Sequence, residues 1–169
     1  MNNLKYFLKL YALWIIYFTI NRLFFILHFF EYFKLSDSNE IFTIFLKSIA
    51  LDVSFISYLI VFIILFMFIG NLFVSDTFKN FIKKLIFYFN TFFIVISALI
   101  ISGEMAIYSH WGTKLNFKAI SHLQNPSEVF STASYKDYLL VVFLLIIAFL
   151  FIKLYSKFIH EKLELRSFN

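Results

Sequence analysis

Cysteine is absent from the sequence, proline occurs once and glycine three times in 169 residues. The first absence excludes a disulfide framework, a thiol nucleophile and a zinc–thiolate site. There is no internal repeat, low-complexity linker or Gly/Ser-rich boundary that would divide the chain into domains. Charge is scarce as well: 15% of the residues are charged against 62% hydrophobic, with 27 phenylalanines. That is more apolar side chain than a single water-facing domain of this size hides, so the chain requires lipid around it. No Ser-His-Asp spacing, Gly-rich phosphate loop or paired-carboxylate stretch supports catalysis. The formal charge of +5 is read by position, because in a membrane protein Lys and Arg choose sides of the bilayer rather than nucleic-acid partners.

What the sequence does contain is four long apolar runs, at 10–30, 51–74, 85–103 and 138–155. The first follows a Lys-bearing start, is too long for a signal-peptide core and lacks a small-residue cleavage pattern, so it is expected to stay as an anchor. Its 21 residues suit a tilted helix across a hydrocarbon layer of ~30 Å. The fourth has only 15 uncharged residues between Asp137 and Lys153, which span roughly 22 Å, so Lys153 and Lys157 must snorkel for it to cross. The expected fold is an all-α membrane protein: one domain over 1–169, a bundle of four transmembrane helices, no soluble domain.

Orientation follows from the connectors. Lys5 and Lys9 at the start, Lys79, Lys83 and Lys84 between the second and third runs, and Lys153, Lys157, Lys162 and Arg166 in the tail outnumber the basic residues of the other two connectors, which hold most of the acids. Both termini are therefore expected in the cytoplasm, with 31–50 and 104–137 outside. The chain is placed in a bacterial inner membrane, and its high Phe, Ile, Lys and Asn content suits an AT-rich bacterial genome.

The longer outer loop is the informative one. Glu104, Tyr108 and Trp111 fall at i, i+4 and i+7 and share a face if the third helix continues past the membrane. Gly112 offers a helix end. Asn116 can cap a short helix whose Phe117, Ile120 and Leu123 form an apolar stripe for the membrane surface. Asn125-Pro126-Ser127-Glu128 reads as the start of another short helix: cap, first-turn proline, and a glutamate able to reach back. Short interfacial helices are thus expected within 104–137. His110, His122 and Glu104 match no compact ligand spacing, so no metal site is assigned.

Two charges lie inside spans, Arg22 in the first and Asp52 near the start of the second, both toward the outer leaflet. An unpaired charge in hydrocarbon costs several kcal/mol, which pairing Arg22 with Asp52 or with Glu104 would largely remove while fastening helices together. The functional reading is that Arg22 binds a lipid phosphate instead, which guanidinium geometry suits.

The run Glu104-x3-Tyr108-x2-Trp111-Gly112-x-Lys114-Leu115-Asn116, followed by Leu123-x-Asn125-Pro126-x-Glu128, resembles the first long extracytoplasmic loop of the lipoteichoic acid synthase family, the membrane-bound sulfatase-like proteins, in their Bacteroidetes-type variant. Asn21-Arg22-Leu-Phe-Phe in the first span and Leu51-Asp52-Val-Ser54-Phe-x2-Tyr58 opening the second agree with it. The resemblance implies five transmembrane helices followed by an extracytoplasmic domain of the alkaline phosphatase superfamily. That domain uses a threonine nucleophile and a divalent metal, typically manganese, to transfer phosphoglycerol or hydrolyse related esters. None of the family's catalytic or metal residues has a counterpart here, and no cofactor is expected in this chain. On this resemblance the sequence is the membrane portion of such a protein, truncated before the fifth helix. Its expected partners are membrane lipids and a sulfatase-like domain that is missing or separately encoded. The alternatives are a standalone membrane scaffold and, third, a small transporter component.

Overall fold

The computed structural model describes residues 3–33, 38–112, 134–163 and 165, and these are almost entirely helical, with no strand among them. The order is α1 (Asn3–His28), α2 (Phe30–Phe33), α3 (Ser38–Leu72), α4 (Asp76–Trp111) and α5 (Tyr135–Phe158), followed by a 3-10 turn over His160–Lys162. With no proline in any of them, nothing removes a backbone donor from the i→i−4 ladder. In hydrocarbon that ladder is the only way to satisfy the backbone of a lone segment. Segments Leu4–His28, Phe45–Leu72, Asp76–His110 and Tyr135–Lys162 are each long and apolar enough to cross a membrane.

The helices outrun the apolar stretches read from the sequence. Helix α1 starts at Asn3 rather than near 10, α3 takes in most of the connector expected over 31–50, and α4 spans 76–111 rather than 85–103. The reason is chemical. Lys5, Lys9, Lys79, Lys83, Lys84 and Glu104 end a hydropathy run but not a helix, since Lys and Glu are good helix formers at headgroup depth. True ends are set by local backbone chemistry. Helix α4 stops where Gly112 adopts φ +65°, its N–H donating to the carbonyl of Tyr108 at 3.0 Å, the left-handed cap that glycine adopts without a Cβ clash. The short helices expected around Asn116 and Asn125 lie outside the described residues.

The chain forms two compact units, Met1–Phe89 with Leu154–Asn169, and Asn90–Lys153. In the first, α1 buries Tyr6, Leu10, Trp14, Tyr17 and Asn21, and α3 buries Ile56, Leu59, Ile63 and Met67. Spacings of three and four residues make each set a stripe along one helix face. The Tyr6 and Tyr155 hydroxyls meet at 3.3 Å, and Tyr155 stacks on Phe87 with ring centroids 5.9 Å apart. In the second unit the buried face of α4 carries Asn90, Ile94, Ser97, Ala98, Ser102 and Met105, and that of α5 carries Leu140, Leu144, Ala148 and Phe151. Ser97 and Ser102 donate to carbonyls three residues back, at 2.9 and 2.8 Å, so small polar residues enter this face with their hydroxyls already satisfied.

Two glycines within helices separate packing from propensity. A Cβ on Gly70 would stand 3.0 Å from Leu165 Cδ1 and 3.1 Å from Ile82 Cγ2, whereas one on Gly103 meets nothing within 4 Å. Gly70→Val should therefore destabilise by about 1–3 kcal/mol through overpacking. Gly103→Ala should stabilise by up to about 1 kcal/mol through helix propensity. Chemical unfolding of the two variants in one detergent measures both signs.

Candidate functional site: a buried ion pair between α1 and α3

Arg22 sits on α1 six residues from the His28 end of its apolar segment, and Asp52 on α3 seven residues from the Phe45 end of its own. At the helical rise both are about 9–10 Å inside. Asp52 is thus deeper than its expected place near the start of the second span, because α3 begins far earlier, and its depth matches that of Arg22. The two meet: Arg22 Nη2 donates to Asp52 Oδ2 at 2.5 Å, with side chains only 17% and 14% exposed. The guanidinium also lies over the Phe45 ring, 5.1 Å from Cζ to the centroid, where the ring's negative face attracts it. Next to it Asn21, 3% exposed, donates from Nδ2 to the Tyr17 carbonyl at 2.8 Å.

Two atoms of this cluster are buried with no hydrogen-bond partner among the described residues, the donor Arg22 Nη1 and the acceptor Asn21 Oδ1. One guanidinium edge is thus committed to the carboxylate, and an N–H remains that a phosphate oxygen suits. Chemically the cluster holds a charge in an apolar setting and fastens two helices. It contains no nucleophile.

Of the other residues singled out in the sequence, Glu104 and Tyr108 lie on α4 in the second unit, both partly buried, and Trp111 is the last residue of that helix. Glu104 makes no ion pair with a described residue. Lys114, Asn116, Asn125, Pro126, Glu128 and His122 lie outside the described residues. His110 donates from Nε2 to Asp137 Oδ2 at 3.1 Å, and that oxygen also accepts from the Ser134 N–H at 2.8 Å and the Ser134 hydroxyl at 2.7 Å.

This last group is one that the sequence reading passed over. Ser134-x-x-Asp137 before an apolar run is a capping-box pattern, hidden in the sequence because Asp137 is also the charge that limits the fourth apolar run. A serine, an aspartate and a histidine converge, yet the hydroxyl donates to the carboxylate and not to the imidazole, so no base activates it. It is a cap. Ser134→Ala should cost about 0.5–2 kcal/mol, seen as faster amide hydrogen exchange in the first turn of α5.

Four long apolar helices and a charge pair placed inside two of them define a multi-pass α-helical membrane protein. Compared with protein-family models, with curated proteins and with solved structures, the chain matches none.

Proposed function

We propose that this chain is the membrane-embedded portion of a lipoteichoic acid synthase-like protein in a bacterial cytoplasmic membrane, where it orients an extracytoplasmic sulfatase-like domain over the outer leaflet. The observation that carries this reading is the Tyr-x2-Trp-Gly-x-Lys-Leu-Asn and Asn-Pro-x-Glu pair over 108–128. The stems of that segment are well suited to presenting it. One is the end of α4, closed at Gly112, the other is the capped start of α5, and His110 ties to Asp137 across them. Phosphoglycerol transfer or ester hydrolysis would belong to the catalytic domain with its divalent metal. Among the described residues no three His, Asp or Glu side chains converge as ligands, and no chemical step is assigned to them.

Sequencing the DNA beyond the Asn169 codon and in adjacent genes tests the reading. The expected result is a further transmembrane segment and a sulfatase-like domain, in frame or separately encoded. Their absence from the locus would overturn it in favour of a standalone scaffold. A scaffold is the second reading because Arg22 and Asp52 neutralise each other and fasten α1 to α3, which serves a binding module better than a translocation path.

A further inference from the structure

A groove of about 380 Å³ runs between the first turns of α1 and the middle of α3, at the small end of ligand-sized cavities, roughly 300–1,000 Å³. Leu4, Phe7, Leu8 and Tyr11 form one wall, and Ile60 and Val61 the other. Ser57 also lines it, but its hydroxyl donates to the Val53 carbonyl at 2.7 Å and so makes no polar demand on an occupant. The groove is open along its side rather than enclosed, and Leu4, Leu8 and Val61 remain 65%, 61% and 61% exposed.

Its position across the membrane selects the occupant. Leu4 begins the apolar segment of α1, while Ser57 to Val61 lie at the centre of the apolar segment Phe45–Leu72. The groove therefore runs from the edge of the hydrocarbon layer to near its midplane, which is the course of one acyl chain within a leaflet. At the edge, Lys5 and Lys9 stand one turn apart, flanking Leu8, and both are exposed. Neither has an acidic partner among the described residues, and α1 contains no Asp or Glu. Tyr11 lies two residues further in, and its hydroxyl bonds to no described residue.

We propose that the groove holds one acyl chain of an anionic glycerophospholipid, with its phosphate between Lys5 and Lys9 and its ester carbonyl at the Tyr11 hydroxyl. The chain fills the apolar wall and the two ammonium groups supply the preference for negative charge. By the charge-based orientation this is a lipid of the cytoplasmic leaflet, on the opposite side from Arg22. The proposal does not depend on the family reading.

The test uses the full 169-residue chain in phosphatidylcholine vesicles doped with phosphatidylglycerol bearing a diazirine in mid-chain, or with the matching phosphatidylcholine probe. After irradiation, labelled peptides are mapped by mass spectrometry. Phosphatidylglycerol should label Leu4–Tyr11 and Ser57–Val61 above the other lipid-facing segments. Lys5→Gln/Lys9→Gln should lower the preference over phosphatidylcholine by about fivefold for each lysine removed. Val61→Trp, at an exposed position, should fill the groove and abolish local labelling with both probes while circular dichroism stays unchanged. Uniform labelling of all exposed faces, a preference indifferent to the lysines, or cross-links between copies of the chain at these residues would each overturn the proposal.

Discussion

Asp52→Leu will destabilise the protein by about 3–5 kcal/mol, because it leaves the Arg22 guanidinium buried without its carboxylate. The converse change, Arg22→Met, will cost less. A stranded carboxyl group can shed its charge by taking up a proton, whereas a guanidinium stays charged under all practical conditions. Among the described residues Arg22 then has only the Phe45 ring at 5.1 Å to fall back on, a contact of about 0.5–2 kcal/mol. The double variant Arg22→Met/Asp52→Leu removes both charges and keeps the volume, and should return to within about 1 kcal/mol of the parent or exceed it. Denaturant unfolding in mixed micelles supplies the four free energies, and their cycle isolates the coupling. Phosphorus retained per chain after detergent extraction, measured on the same samples, separates the two readings of Arg22. If the arginine only fastens helices, the stable double variant keeps the parent's phosphorus. If its unpartnered Nη1 holds a lipid phosphate, the double variant loses phosphorus while remaining folded.

That pair was legible in the sequence because charge in hydrocarbon is costly enough to demand a partner. Two charges at compatible depths on neighbouring spans therefore implied a contact, with Glu104 the competing partner. The four helices were legible for a similarly strong reason, since runs of Leu, Ile and Phe without proline have no alternative in lipid. Helix ends were less so. A lysine such as Lys9 or Lys83 closes a hydropathy run, but its stem stays in the helix and only its ammonium seeks water. Ser134-x-x-Asp137 did carry its signal, masked by the reading of Asp137 as a loop boundary. The packed faces were the least legible part. Leu8 is 61% exposed and Leu10 fully buried on the same helix, because the lipid side is as apolar as the packed side and no amphipathic period emerges. Some side chains with a polar handle mark the inner face, Tyr6, Trp14, Tyr17 and Asn21 on α1 and Asn90, Ser97 and Ser102 on α4. Tyr58, Tyr88 and Tyr138, however, are 72%, 65% and 46% exposed, so a polar handle alone does not assign a face.

Trp14→Ala tests that reasoning and carries the other large effect, about 3–5 kcal/mol. Water-driven burial contributes little between helices already in lipid, so the seam of α1 and α3 depends on shape and close contact. Trp14 is the largest fully buried side chain among the described residues. Its indole meets Phe55 of α3 edge-on, with centroids 5.9 Å apart and planes at 69°, while Tyr17 and Phe18 of its own helix flank it at 5.7 and 5.5 Å. Alanine would leave a void that these rings, packed on one another, cannot close. Trp14→Phe keeps a ring against Phe55 and should cost no more than about 1–2 kcal/mol. Leu27→Ala, at a side chain 70% exposed, should stay within about 0.5 kcal/mol of the parent. Unfolding followed by circular dichroism gives all three, and a Trp14→Ala loss as small as that of Leu27→Ala would mean that the inner face of α1 has been misplaced. Trp14 and Arg22 stand eight residues apart, about 12 Å along the helix. Trp14→Ala and Asp52→Leu should therefore add to within about 0.5 kcal/mol, and a larger departure would reveal that the aromatic seam and the ion pair set the α1–α3 contact as one unit.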